Sequence, residues 1–147
     1  MDAELQKVID EAALRRISEV YARGADRRDK DIWRSVMAPE CTLFGPGFRF
    51  EGRDGCMTAI DSLNEMFRET QHRVFQQTVE IDGDTATGET YCSADHKMKD
   101  ADEVWCWAIR YQNKWRREDN GRWLFTEREL IVDWMEMRPL HVSEDYA

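Results

Sequence analysis

The chain of 147 residues has little that would staple or punctuate it: three prolines, eight glycines and four cysteines, with no internal repeat and no Pro/Gly-rich linker. Cys41, Cys56, Cys92 and Cys106 stand 15, 36 and 14 residues apart, and a zinc site asks for tighter ligand pairs such as C-x-x-C. Met1 to Lys7 lacks a basic stretch leading into an apolar run, so no secretory signal is read there. A cytoplasmic protein with four reduced, half-buried thiols is the expectation. Positive charge is in deficit: 21 Lys and Arg stand against 30 Asp and Glu, a formal balance of −9. That argues against nucleic acid as a partner, because phosphate contacts need clustered basic residues. No run approaches the roughly 20 apolar residues of a membrane span. The sequences G-x-x-x-x-G-K-[ST], G-x-G-x-x-G and G-x-S-x-G are missing too, which removes phosphate cradles and a serine-hydrolase elbow.

What is present is bulk. Six Trp, six Phe and seven Met supply a core, and the length suits one domain, read as 1–137 with a polar tail at 138–147. Leu5, Val8, Ile9, Ala12, Ala13, Ile17, Val20 and Tyr21 recur at three- and four-residue steps and predict a long first helix ending at Gly24. Asp29 caps a short second helix that stops at Pro39. Cys41–Phe44 and Phe48–Phe50 flank a Gly-Pro-Gly turn, and a third helix is expected from about Gly55 to Arg68. From there the period is two. Strands are read at Val74–Ile81, Thr85–Met98, Val104–Arg117 and Trp123–Met135, with Asp82-Gly83-Asp84 and Asp119-Asn120-Gly121 as turns. Helices first and a meander after predict an α+β fold, three helices packed in a strongly curved, mostly antiparallel sheet shaped like a cone. The mouth of such a cone suits a small hydrophobic ligand.

Only His72, His96 and His141 are histidines, and His is the side chain most used for proton transfer near neutral pH. A hairpin turning at Asp82-Gly83-Asp84 brings His72 and His96 opposite each other within a residue of register, although pairing fixes level more firmly than face. His141 falls in the polar tail and reads as solvated. A histidine base works best when a carboxylate fixes its tautomer, and Asp26, at the end of the first helix, is the leading candidate. Capping a turn is the bland use of the same Asp. Tyr21 lies one turn earlier, where its hydroxyl reaches a cavity or its ring simply packs. Trp105, Trp107, Tyr111, Asn113 and Trp115 share one strand face and, with Phe48, make candidate walls for a ring-bearing substrate. Arg110, Glu127, Arg128 and Asp133 are accounted for by salt bridges on the outer face. A metal held by His72, His96 and Asp26 has no tight ligand spacing behind it, so neither metal nor cofactor is expected.

The segment Tyr21-Ala22-Arg23-Gly24-Ala25-Asp26-Arg27-Arg28-Asp29 resembles the Y-x-x-x-x-D-x-x-D end of the first helix in SnoaL-like proteins of the nuclear transport factor 2-like superfamily. Further matches are His72, Glu80 to Gly88, Arg110-Tyr111, Trp115 to Asp119, Gly121 to Trp123 and Val132 to Trp134, so the likeness spans about Ile9 to Trp134. It is specific for the fold and weaker for the reaction, since the superfamily hosts dehydratases, cyclases, isomerases and binding proteins. Asp26 and His72 are similar to the dyad of the hexachlorocyclohexane dehydrochlorinase and bile-acid 7-alpha-dehydratase group, and Tyr21 to the tyrosine of the latter. His96 and Asn113 are similar to residues of scytalone dehydratase. A last-strand arginine of the group falls at Glu127 or Arg128, and a fourth-strand aspartate at Ala94 or Asp95.

The resemblance implies catalysis by His72, Asp26, Tyr21 and His96, with Asn113, Trp105, Trp107, Tyr111 and Phe48 binding substrate. The reading is a cofactor-free lyase, a dehydratase or eliminase acting on a hydrophobic aromatic, polycyclic or steroid-like small molecule. A formaldehyde-releasing retro-aldol lyase on a lignin-derived diarylpropane, a ketosteroid-type isomerase, a polyketide-type cyclase and a non-catalytic binding module remain alternatives. The resemblance also implies a homodimer or homotrimer.

Overall fold

The computed structural model describes residues 1–141. Its elements run α1 (Ala3–Arg27), α2 (Lys30–Val36), β1 (Met37–Gly45), β2 (Phe48–Glu51), α3 (Gly52–Met66), β3 (Phe67–Asp82), β4 (Thr85–Met98), β5 (Glu103–Arg117) and β6 (Trp123–Pro139). The fold is α+β. Three helices pack against one curved, open sheet in the order β2-β1-β6-β5-β4-β3. Every neighbouring pair is antiparallel except β1 with β6, the first strand lying parallel to the last. β6 continues to Pro139, past the expected boundary at 137, and Leu140 N–H still bonds Asp102 O at 2.8 Å. His141 is exposed, and the rest of the expected tail, 142–147, lies outside the described residues.

α1 buries a different stripe from the one its apolar residues suggest. Leu5, Val8 and Ile9 are 53, 61 and 44% exposed, whereas Asp10, Leu14, Ser18, Tyr21 and Ala25 face the core. Two polar residues hold places in that stripe because each is hydrogen-bonded there. Asp10 Oδ1 accepts from Trp123 Nε1 at 3.1 Å and Arg117 Nη1 at 2.7 Å, and Ser18 Oγ donates to Gln77 Oε1 at 2.6 Å. Hydropathy periodicity cannot see partners of this kind. The four cysteines are free and fully buried, not half-buried.

Gly24 does not end α1. The helix runs one turn further, and Arg28 closes it in the left-handed region at φ 55°, with Arg28 N–H bonding Ala25 O and Asp29 N–H bonding Gly24 O. The glycine is there for closeness: a Cβ at 24 would meet Trp33 Cδ1 at 2.5 Å. α2, capped by Asp29 Oδ1 on the amides of Asp31 and Ile32, thereby lays Trp33 flat on the end of α1. Trp33 Nε1 donates to Tyr21 O at 2.9 Å and its ring stacks on Tyr21 at 4.5 Å, which fixes both. α3 starts and stops a few residues earlier than its pattern suggests. Phe67 is buried as the first residue of β3 rather than on the helix, and Met66 is half exposed.

Replacing Gly24 by Ala gains about 1 kcal/mol of helix propensity but overpacks a pinned indole, at a cost of about 1–3 kcal/mol. Gly24→Ala should therefore lower the urea midpoint. An unchanged or raised midpoint would mean that the Trp33 contact is loose.

Candidate functional site

The ladder between β3 and β4 keeps its register from the turn to Gln77↔Thr90, then slips by one at Val74↔Cys92. Phe75 and Gln76 thus oppose Tyr91 alone, a β-bulge that changes which face of β3 points inward. Odd-numbered Gln77, Val79 and Ile81 share the inner face on one side of it, even-numbered Thr70 and His72 on the other. The carbonyls freed by the bulge are not left bare, since Arg15 of α1 donates Nη2 to Val74 O at 3.0 Å and Nη1 to Phe75 O. His72 ends up opposite Ala94, and His96 opposite Thr70, two residues from the pairing expected of the hairpin. The imidazoles are diagonal neighbours on the inner face, ring centroids 5.9 Å apart and nearly perpendicular.

Asp26, in the last turn of α1, meets His72 there. Asp26 Oδ1 lies 2.6 Å from His72 Nδ1, and its two oxygens accept the His72 amide at 3.1 and 2.9 Å. Thr70 Oγ1 donates to Oδ1 at 3.0 Å and itself accepts from Arg28 Nη1 at 2.8 Å. With Asp26 Oδ1 as the acceptor Nδ1 carries a proton, and in the neutral ring that tautomer places the lone pair on His72 Nε2. His72 borders two openings. One is an apolar cavity of about 240 Å³; the other is a polar groove on the far side of the dyad, lined by Asp26 with Arg23, Arg27 and Arg73.

His96, 1% exposed, donates Nδ1–H to Trp105 O at 2.9 Å and packs between Phe67 and Trp107, 4.5 and 4.4 Å from its ring centre. Burial, with a smaller push from His72, drives its pKa down to about 4, so the ring is neutral near pH 7 and its Nε2 is an acceptor. Tyr21 and Tyr111 also line the cavity, edge to face at 5.9 Å, and burial raises both phenols well above their ordinary range, so both stay protonated. Phe48 and Trp107 complete the wall with them.

Two residues expected to bind substrate do not line this cavity. Trp105 stands beside Phe67 and Trp107 and reaches the site through its carbonyl. Asn113 is buried further along the sheet, with Oδ1 accepting from Arg128 Nε at 2.9 Å and Nδ2 donating to Thr90 Oγ1 at 2.8 Å. Arg128 is itself a correction. Arg110, Asp133 and Glu127 lie outward in ion pairs, but Arg128 is 1% exposed, its guanidinium over the rings of Tyr21, Tyr111 and Phe125. A second bulge is the reason: β5–β6 pairing passes from Trp115↔Phe125 to Lys114↔Glu127, skipping Thr126, and turns 128 inward. Simple alternation from Trp123 and Phe125 puts that residue outside. At the fourth-strand position Ala94 faces inward, while Asp95 faces out and pairs with Arg73 and Arg138. Among the described residues no group of three His, Cys, Asp or Glu is arranged to hold a metal ion, and no helix is long and apolar enough to cross a membrane.

A family model described as a SnoaL-like domain matches residues 6–129. No curated protein matches the chain in sequence. Among solved structures, a type 2 hexachlorocyclohexane dehydrochlorinase, LinA, superposes with a TM-score of 0.88 at 19% identity, covering 96% of this chain and 97% of its own. LinA-type3 of Novosphingobium barchaimii gives 0.87 at 15% identity, covering 96% and 99%. A scytalone dehydratase-like protein of Novosphingobium aromaticivorans gives 0.80 at 19%, covering 93% and 91%. At such identities these likenesses speak for the fold.

The neutral His96 makes a pH prediction. The unfolded chain binds a proton at an ordinary His, near pH 6.5, before the folded chain does, so the contribution is complete above that pH and lost as pH falls towards 4. The loss amounts to roughly 3 kcal/mol at the low end. Urea midpoints at about pH 7.5 and about pH 5 should differ more for the wild type than for His96→Gln. Equal differences would show that His96 takes up its proton freely in the fold.

Proposed function

The chain belongs to the SnoaL-like domain family, and we propose that it is a cofactor-independent lyase that eliminates water, or a comparable leaving group, from a compact hydrophobic, ring-bearing substrate. One observation carries this reading: His72 is oriented through Nδ1 by a carboxylate and is itself part of the lining of an apolar cavity. A proton acceptor so held, facing a water-poor space, is the equipment for removing a C–H proton next to a carbonyl. His72 Nε2 takes that proton, and the electron pair moves into an enolate whose oxygen is held by the hydroxyl of Tyr21. Collapse of the enolate forms the C=C bond and expels hydroxide from the neighbouring carbon. The hydroxide takes the proton back from the imidazolium and leaves as water, so atoms and charge balance. Asp26 stabilises the imidazolium in the interval. General acid–base groups contribute factors of about a hundred to ten thousand, enough for elimination beside an activating carbonyl.

Neutral His96 adds an acceptor for a substrate hydroxyl. A cavity of about 240 Å³ favours one or two rings over a steroid skeleton, ligand pockets commonly spanning about 300–1,000 Å³. Structural relatives named for eliminations, a dehydrochlorinase and a dehydratase-like protein, are in keeping with this class of reaction.

His72→Ala should reduce turnover of cyclic β-hydroxy ketones by at least about a hundredfold. Circular dichroism and the affinity for a non-reactive ring ketone should stay within about twofold of wild type. A wild-type protein that binds such compounds tightly and turns none over, with His72→Ala behaving alike, is a binding module and not a lyase.

A further inference from the structure

Arg128 is the largest buried charge that the reaction just described leaves unused. It forms no ion pair among the described residues, and neither Nη1 nor Nη2 has a hydrogen-bond partner. An unpaired guanidinium inside a protein is expensive, so its surroundings have to stabilise it. They do so in two ways. Three aromatic faces surround the guanidinium carbon, at 3.6 Å for Tyr111, 4.2 Å for Tyr21 and 4.6 Å for Phe125. A one-directional chain of hydrogen bonds then fixes the donor end. Ser18 Oγ and Thr90 Oγ1 both donate to Gln77 Oε1, at 2.6 and 2.7 Å. Thr90, having given its proton, accepts from Asn113 Nδ2 at 2.8 Å. The Asn113 amide is thereby turned with its oxygen towards Arg128 Nε, 2.9 Å away. Four elements, α1, β3, β4 and β5, therefore set the position of one side chain on β6.

The cation does not face the cavity. Its terminal nitrogens are fully buried, and the rings of Tyr21 and Tyr111 line the cavity in front of it. Neither phenol hydroxyl has a hydrogen-bond partner among the described residues, so both are open to a ligand. A positive charge against the π face of a phenol favours negative charge building up on its oxygen, and the effect is strong where water is excluded. Arg128 accordingly opposes the upward push that burial gives both phenols.

Resting on the lyase reading above, we propose that Arg128 is a positioning residue acting through the rings of Tyr21 and Tyr111, making the two phenols paired hydrogen-bond donors to an oxyanion in the cavity. The ligand class is an enolate or aryl oxide on a flat ring. The same cavity then carries both the imidazole acceptors and the phenol donors, so a ring ketone binds with its oxygen towards Tyr21 and Tyr111. Tyr111 becomes a second electrophilic group beside Tyr21.

The test uses 2-naphthol and its more acidic cyano- and nitro-substituted relatives, whose absorbance separates neutral from ionised forms when bound. Wild type should bind the acidic members as the naphtholate below their ordinary titration range. Arg128→Met, similar in length but uncharged, should lower the ratio of ionised to neutral bound naphthol by about tenfold. Its affinity for naphthalene should stay within about twofold. Tyr111→Phe should lower the ratio too, and Arg128→Lys should restore part of it. A wild type that holds every member only as the neutral naphthol overturns the inference. So does an Arg128→Met protein that folds and ionises the series as wild type does. If Arg128→Met does not fold, a Tyr111→Phe variant with an unchanged ratio overturns it instead. Wild type that ionises naphthols but never turns over a β-hydroxy ketone would defeat the lyase reading while supporting this one.

Discussion

The carboxylate of Asp26 grips the start of β3, and the rest of the site is arranged around that grip. It takes the His72 amide, the His72 Nδ1 proton and the Thr70 hydroxyl together. Helix end and strand are joined and the imidazole is oriented by the same contact. The location is electrostatically awkward, since the last turn of a helix presents partial negative charge to a carboxylate. Arg28 offsets this. Held in a left-handed backbone conformation just past the helix, it passes Nη1 to Ala25 O at 2.6 Å and to Thr70 Oγ1 at 2.8 Å. An acid on a helix C-terminus, compensated by the next available cation, is a local strain that a purely structural turn would not require.

Two bulges do for the sheet what Asp26 does for the helix. One at Phe75–Gln76 rotates His72 inward, and the other at Thr126 rotates Arg128 inward. A strand of strict alternation keeps one chemical character on each face; a single extra residue lets an otherwise outward position contribute to the interior. The price is a stretch of ladder without partners. At the β3 bulge Arg15 replaces the missing donors, and Arg15 is held in turn by Glu19 one helical turn on.

These devices decide what could be read from the chain in advance. The element order, the four long strands and the inward faces of β4 and β5 follow from period and turns, which are short-range signals, whereas the pairing of Asp26 with His72, 46 residues apart, is what the family resemblance implies. The register of His72 with His96 is less legible, because the bulge that slips the ladder by one, setting His72 opposite Ala94 where the hairpin alone gives Asp95, leaves no clear mark in composition. The inward turn of Arg128 is hidden for the same reason, and a charged residue between Glu127 and Glu129 gives every appearance of a solvated strand edge. Asn113 lies on the expected face but is pointed by its partners at Arg128 and Thr90, and not at the cavity. Asp10 and Ser18 hid the true buried stripe of α1, since their place in the core depends on Trp123, Arg117 and Gln77, residues that are distant in sequence.

The parallel pairing of β1 with β6 carries a consequence for how the molecule comes into being. Thr42 and Leu43 find their partners at Glu127 and Arg128, across most of the chain, so that seam is a late, entropically demanding step. The dyad and both cavity histidines belong to earlier segments and emerge from the ribosome first. The buried cation and Leu130 arrive with the last strand. During synthesis there is thus an interval in which the histidines and both tyrosines of the hollow exist without the cation that packs against the tyrosine rings. The cavity is completed in a single event, when the final strand zips into the gap between β1 and β5.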